Sequence, residues 1–280
     1  RSILLDSKAD LLIYGMGEYK LLETARFLEA GGEIGNLNHL RGTGYVSSIV
    51  PEDALEIPSY ENVSQNAQDF SESTRLIQLN TNPYSAPPLA QKHENRWIIM
   101  NPPALPLTTE QMDSIYAIPF LRKYHPMYEK DGGVPALEPV QFSVLTHRGC
   151  FGGCAFCSIG LHQGKFIQNR SIRSIEAEVK SFTSHPDFRG SIPDLGAASA
   201  NMYGLRGKES EKCNTCRRTS CLYPSVCNNL DTDHSPSIRM WQKIRKIKGV
   251  RHIRVASGVR YDLILQDKSG QNLRQLCEYH

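Results

Sequence analysis

The chain has 280 residues, 40% of them apolar and 22% charged, with a formal net charge of +3. That length allows one large domain or two smaller ones with a proper core, and scattered Lys and Arg exclude a nucleic-acid footprint on charge alone. No run of about eighteen apolar residues occurs, so no membrane-spanning helix is expected, and eight cysteines outside a secretory pattern point to a reducing, cytoplasmic setting.

From the N-terminus, residues 9–14 read as a buried strand and Gly15-Met16-Gly17-Glu18 as a tight turn. A helix follows, with Leu21, Leu22, Ala25 and Leu28 on one face and Gly31-Gly32 at its stop. Strand, Gly-x-Gly and helix make an incomplete phosphate cradle, because the third glycine of the dinucleotide fingerprint is absent. Between about Gly35 and Pro139 periodicity lapses and Pro, Asn, Ser and Gln accumulate, which predicts an irregular connector. Within it, 96–100 is a short strand candidate, and Thr108 is suited to cap a helix beginning Thr109-Glu110-Gln111-Met112.

Apolar alternation over 140–145 predicts a strand that delivers a cysteine loop at its C-terminal end. That loop reads Thr146-His147-Arg148-Gly149-Cys150-Phe151-Gly152-Gly153-Cys154-Ala155-Phe156-Cys157, a C-x3-C-x2-C triplet. Three thiolates suit a 4Fe–4S cluster and leave one iron without a protein ligand. Gly149, Gly152 and Gly153 allow tight turning and a close approach of backbone N–H groups to the sulfides. Zinc usually takes four protein ligands in two knuckles, and an odd set of thiols in eight residues cannot pair off internally, so zinc and disulfides fit this triplet less well.

Downstream, 171–184 is predicted helical, with Ile172, Ile175, Val179 and Phe182 at helical spacing; then come a strand at 191–195, a helix at 236–248, a strand at 252–256 and a helix at 272–279. Alternating strands and helices imply a parallel sheet whose active face lies at the strands' C-terminal ends. Pro193 is awkward inside a central strand because it lacks an N–H. A second cysteine group, Cys213, Cys216, Cys221 and Cys227, lies in a polar stretch and leaves two fates open. It either holds a metal, zinc or a second iron–sulfur cluster with His234 in reserve, or consists of thiols or disulfides in a Cys-rich loop. Cys277 reads as a small buried residue, His147 and His162 as residues packing near the triplet, and the basic run from Arg239 to Arg254 as a solvated helix face.

The triplet, with Phe156 just before its last cysteine, resembles the radical S-adenosylmethionine (radical SAM) enzymes. The strings Trp97-Ile98-Ile99-Met100-Asn101-Pro102-Pro103-Ala104-Leu105-Pro106-Leu107, Ala200-Asn201-Met202-Tyr203, Asp231-Thr232-Asp233-His234 and Ala256-Ser257-Gly258-Val259-Arg260-Tyr261-Asp262 are similar to one subfamily, the YgiQ-type proteins. The resemblance implies an α/β fold: residues 1–35 as the last βα unit of a Rossmann-like, cobalamin-binding-like domain, 36–138 as the irregular connector, and 139–280 as the N-terminal half of a radical SAM partial (β/α) barrel with a Cys-rich insertion at 205–235. It further implies that the chain, which opens on Arg1, is an excerpt of a protein about twice as long.

By the same resemblance, Cys150, Cys154 and Cys157 are ligands of a 4Fe–4S cluster whose open iron binds S-adenosylmethionine for reductive cleavage to a 5′-deoxyadenosyl radical. Gly196 and Ala197, in the turn after the second core strand, and Ser257 and Arg260, after the third, are the candidate cofactor contacts; relatives usually carry a second Gly where Ala197 stands. No protein acid or base is assigned. The residues from Gln163 to Arg170 would approach the cofactor from the side. An electron donor such as flavodoxin or ferredoxin and an unknown substrate, RNA or a small molecule, are the implied partners. The competing reading is a non-catalytic iron–sulfur or zinc protein that uses the fold for binding or electron transfer.

Overall fold

The computed structural model describes residues 1–279. It divides into two compact units, each discontinuous in sequence. The first comprises Arg1–Pro106, Phe151–Lys165 and Glu209–Ser225; the second comprises Leu107–Cys150, Phe166–Lys208 and the chain from Val226 onward. The last residue of the predicted core, His280, lies outside the described residues.

The first unit is built on a mixed five-stranded sheet: β1 (Leu12–Ile13), β2 (Thr43–Ser47), β3 (Leu55–Ile57), β4 (Leu89–His93) and β5 (Arg96–Met100), in the order β1-β2-β5-β4-β3. All neighbours are antiparallel except β3 and β4. β5, predicted from its apolar run, is the central strand, with Ile98 and Ile99 both buried. Glu94, at φ +52°, supplies the positive φ that a two-residue link between His93 and Arg96 needs. Ile98 packs with Leu4 and Leu5 of the helical turn Ile3–Ser7, and Leu12, Val46 and Met100 extend this core.

The reading of 36–138 as irregular is therefore corrected: four of the sheet's five strands, and helices α2 (Tyr60–Gln65) and α3 (Ala67–Leu79), fall inside it. The strands span only three to five residues, too few to register as periodicity. α3 fully buries only Ser73, and Phe70 and Ile77, on the same face, stay exposed, so its apolar pattern is weak; the clearer signals of the two helices are their caps, where Ser59 Oγ accepts from Asn62 N at the start of α2 and Asn66 Oδ1 from Gln68 N at the start of α3. Helix α1 (Glu18–Glu29) forms where predicted, yet Leu21, Leu22 and Leu28 are exposed and Thr24 is its buried residue. The strand before it is shorter and less buried than expected, and β1 runs antiparallel to β2, where a Rossmann-like unit would have parallel neighbours.

The second unit carries the predicted parallel strands: β6 (Val144–Leu145) pairs in parallel with β10 (Leu195–Gly196), and β9 (Ser191–Ile192) with β11 (His252–Ile253). Pro193 lies between β9 and β10, where it contributes no N–H, and the strand resumes with Leu195 N donating to Arg254 O at 2.9 Å. Val140 is exposed, and the first strand begins only at Val144. In this unit two strands escaped the sequence reading: β7 (His147–Arg148) and β8 (Gln168–Asn169), an antiparallel pair.

Helix α4 (Thr109–Tyr116) starts at Thr108 with the full capping box, Thr108 and Gln111 bonding reciprocally. Ser171 caps α5 (Ile172–Phe182), whose Ile175, Val179 and Phe182 face Met240, Trp241 and Ile244 of α6 (Ser235–Arg245) and Ile192, Leu195 and Ile253 of the strands. Each such fully buried apolar side chain contributes about 1.5–3 kcal/mol. Of the basic run, Arg239 and Lys243 are exposed on α6 and Lys246 and Lys248 are exposed just beyond its end, whereas Arg245 is half-buried with its guanidinium 3.9 Å from the centre of the Tyr279 ring, so the solvated helix face holds only in part. Helix α7 (Gln271–Tyr279) buries Asn272 and leaves Cys277 exposed, which corrects the expectation for that cysteine.

Candidate functional site

In the second unit, residues following β6, β10 and β11 are tied together by hydrogen bonds. Thr146 Oγ1 donates to the Gly196 carbonyl at 3.2 Å, and Ala200 N donates to the Gly258 carbonyl at 3.0 Å. The β7–β8 ladder pairs His147 with Asn169 and Arg148 with Gln168, so it clasps the two feet of the cysteine loop. Gln168 Oε1 accepts from Leu107 N, Asn169 Oδ1 accepts from Gly204 N, and the Arg170 guanidinium reaches Glu178 and the Leu145 carbonyl. These side chains, expected beside the cofactor, are thus engaged in holding the loop's exit.

His147 is fully buried beside the Tyr203 ring, with Nδ1 and Thr146 Oγ1 at 2.9 Å. Burial pushes its pKa down to about 3, so the imidazole is neutral and serves packing, as expected for a lone histidine. His162 is exposed at the end of the helical turn Ile159–His162.

The cysteine triplet crosses from one unit to the other: Cys150 closes a segment of the second, while Cys154 and Cys157 belong to the first. Gly149 at φ +92° and Gly153 at φ +63° occupy the left-handed region that the tight loop requires; Gly152 does not. Cys157 N donates to the Cys154 carbonyl at 3.0 Å, which closes the C-x2-C turn, and Phe156 at its tip is 94% exposed. All three cysteines are partly exposed and outside disulfides. Among the described residues, no three His, Cys, Asp or Glu side chains gather to hold a single metal ion. The donor set nevertheless suits an iron–sulfur group chemically: three thiols on a glycine-turned loop, each able to meet a different iron.

The four candidate cofactor contacts come together in the second unit. A Cβ on Gly196 would lie 2.3 Å from Ser257 Oγ, so glycine is what lets the third-strand turn approach the second. Asp194 Oδ1 organises that turn, accepting from Ala256 N at 2.9 Å, Ser257 N at 3.1 Å and Ser257 Oγ at 3.1 Å. Ala197 is buried in the same turn. Arg260 is fixed at both ends: Asn201 Oδ1 accepts from its backbone N–H at 2.8 Å and Asn201 Nδ2 donates to its carbonyl at 3.0 Å, while its guanidinium pairs with Asp262. That pairing holds the Asp262 carboxyl below its usual range. Asp194 and Asn201 were missed as positioning residues, although Asn201 lay within a string already singled out.

Cys213, Cys216 and Cys221 belong to the first unit and Cys227 to the second. Gly207 and Leu230 form an antiparallel bridge near the ends of the insertion predicted at 205–235. Cys216 N donates to the Cys213 carbonyl at 3.2 Å; Asn82 Nδ2 then donates to the carbonyls of both Cys213 and Cys216 at 2.9 Å. His234, held in reserve as a ligand, is buried with Nε2 at 3.3 Å from the Leu263 carbonyl, and its pKa is lowered by burial.

Residues 1–143 match the family model described as Radical SAM N-terminal, so the chain belongs to the radical SAM superfamily. Along its whole length it is similar to UPF0313 proteins, as the YgiQ-type strings implied. One from Clostridium botulinum (strain ATCC 19397 / Type A) is 42% identical over 282 residues, covering 100% of this chain and 44% of the relative. Others come from Methanocella arvoryzae, 42% identical over 99% of this chain and 46% of the relative, and Thermotoga neapolitana, 42% identical over 100% and 49%. The chain therefore spans about half the length of these curated relatives. No helix among the described residues is long and apolar enough to cross a membrane.

Proposed function

We propose that this chain is the cofactor-holding part of a radical SAM enzyme in which Cys150, Cys154 and Cys157 bind a 4Fe–4S cluster. The observation that carries the proposal is the C-x3-C-x2-C spacing after a parallel strand, in a chain whose first 143 residues match the radical SAM N-terminal family. When bound, the cluster and S-adenosylmethionine supply one-electron chemistry, reductive cleavage to a 5′-deoxyadenosyl radical that takes a hydrogen atom from a substrate carbon.

The chain's own part is to hold and orient. The three thiolates anchor the iron; the turns at Gly196-Ala197 and Ser257 to Arg260 form the edge that receives S-adenosylmethionine, with Asp194 and Asn201 keeping the turns in register. His147, buried and neutral, adds no charge beside the loop. In this reading the parallel strands belong to a partial (β/α) barrel, electrons come from a flavodoxin- or ferredoxin-type donor, and the substrate is an RNA or a small molecule. The test is anaerobic reconstitution followed by assay for 5′-deoxyadenosine with S-adenosylmethionine and dithionite. Formation of 5′-deoxyadenosine is expected; none from protein with a verified full cluster favours a non-catalytic iron–sulfur protein, and zinc in place of iron a zinc-binding one.

A further inference from the structure

We infer that the Cys-rich insertion braces the cluster loop, and that Ser220 is the positioning residue through which it acts. The inference deepens the proposal above and rests on it for the cluster, although the contacts themselves lie wholly within the first unit. Ser220 is buried; its hydroxyl donates to the Gly152 carbonyl at 2.8 Å and accepts from Leu222 N and Tyr223 N, each at 3.0 Å. Next to it, Cys221 N donates to the Phe151 carbonyl at 3.0 Å. Two consecutive carbonyls of the segment leading to Cys154 thus accept hydrogen bonds from donors of the insertion.

The approach is close enough to dictate sequence. A Cβ on Gly153 would lie 2.7 Å from both Ser220 Cβ and the Thr219 carbonyl oxygen, and Gly153 also sits at φ +63°, so only glycine fits there. The insertion is itself anchored. Asn82 fastens the Cys213 and Cys216 carbonyls, and the Lys165 ammonium, from the far end of the cysteine loop, donates to the Cys216 carbonyl at 2.9 Å and the Arg218 carbonyl at 3.0 Å. The loop segment Phe151–Lys165 is therefore gripped near both ends by one short insertion, which fixes where Cys154 is carried relative to its neighbours. The C-x2-C tip, with Phe156 exposed, is left open.

Ser220→Ala and Gly153→Ala test this, with Arg218→Ala as control, because Arg218 bonds the Tyr223 and Ser225 carbonyls inside the insertion and its side chain does not hold the cysteine loop. In protein without cluster, amide hydrogen exchange of the 151–158 segment should quicken about five- to tenfold in Ser220→Ala, as expected for losing the one of Ser220's three hydrogen bonds that reaches that segment, and stay unchanged in Arg218→Ala. In reconstituted protein, Ser220→Ala should release iron to a chelator faster and alter the line shape of the reduced cluster in electron paramagnetic resonance, at unchanged iron loading. Gly153→Ala should do both more strongly; if that variant fails to fold, Ser220→Ala alone decides. Unchanged exchange in Ser220→Ala overturns the brace. If the wild-type protein loads no cluster, the cluster assignment fails while the exchange measurement still judges the brace.

Discussion

Glu178→Gln should destabilise the second unit by about 3 kcal/mol. The Glu178 carboxylate is shared between Arg122 and Arg170, and the Arg170 side chain is 0% exposed. Removing one member of a buried pair costs about 3–5 kcal/mol because a charge is left uncompensated. The lower end applies here: Arg170 keeps the Leu145 carbonyl at 2.8 Å, Ser174 Oγ at 2.9 Å and the Tyr116 ring at 4.3 Å, and Arg122 keeps the Gln141 carbonyl at 2.8 Å. The chain has two tryptophans, Trp97 in the first unit and the buried Trp241 in the second, so urea unfolding followed by Trp241 fluorescence in a Trp97→Phe background reports the second unit alone. At a slope of about 2 kcal/mol per molar urea, the midpoint should fall by about 1.5 M. A shift below about 0.3 M would refute the reasoning and make the triad a surface-like ion pair.

Gly196→Ala should cost about 1–3 kcal/mol by the same probe, since its methyl would press on Ser257 Oγ, and adding Ser257→Ala should return more than half of that loss; no recovery would remove the steric explanation. His147 has a folded pKa of about 3 against about 6.5 unfolded, so the unfolded chain binds the extra proton between those values and stability falls as pH drops through that window. His147→Gln should therefore flatten the stability profile between pH 6 and 5 by about 1.4 kcal/mol per pH unit; an unchanged slope would show that the imidazole is not held neutral.

What was legible in the sequence followed from how many residues carried each signal. Helices α5 and α6 have apolar residues spaced to face one core, and both formed within a few residues of expectation. The four parallel strands β6, β9, β10 and β11 fall within or beside three stretches marked in the sequence, 140–145, 191–195 and 252–256, because each stretch precedes a helix or a chemically marked loop. Of the mixed sheet only β1 and β5 were anticipated and β2, β3 and β4 were hidden, since these strands are short and helix α3 fully buries only a serine. The β7–β8 clasp was invisible for a different reason: His147, Arg148, Gln168 and Asn169 are polar, and their pairing is set by contacts that span a long loop. Among the candidate site residues, Gly196 and Ser257 proved to be neighbours because the turn geometry demands it, whereas Arg260 meets Asp262, a partner only coordinates reveal. Ser220 carries no sequence signal at all; a serine inside a Cys-rich polar stretch reads as solvent-facing until its hydroxyl is seen on the Gly152 carbonyl.

The most direct test of the central claim is iron and acid-labile sulfide content after anaerobic reconstitution, with electron paramagnetic resonance of the reduced protein recorded before and after adding S-adenosylmethionine. About four irons and four sulfides per chain are predicted. They should be lost in Cys150→Ala, Cys154→Ala or Cys157→Ala and retained when Cys213, Cys216, Cys221 and Cys227 are all replaced by Ser, with a signal that changes when S-adenosylmethionine is added. Iron that survives substitution of the triplet, or a signal indifferent to S-adenosylmethionine, would contradict the account.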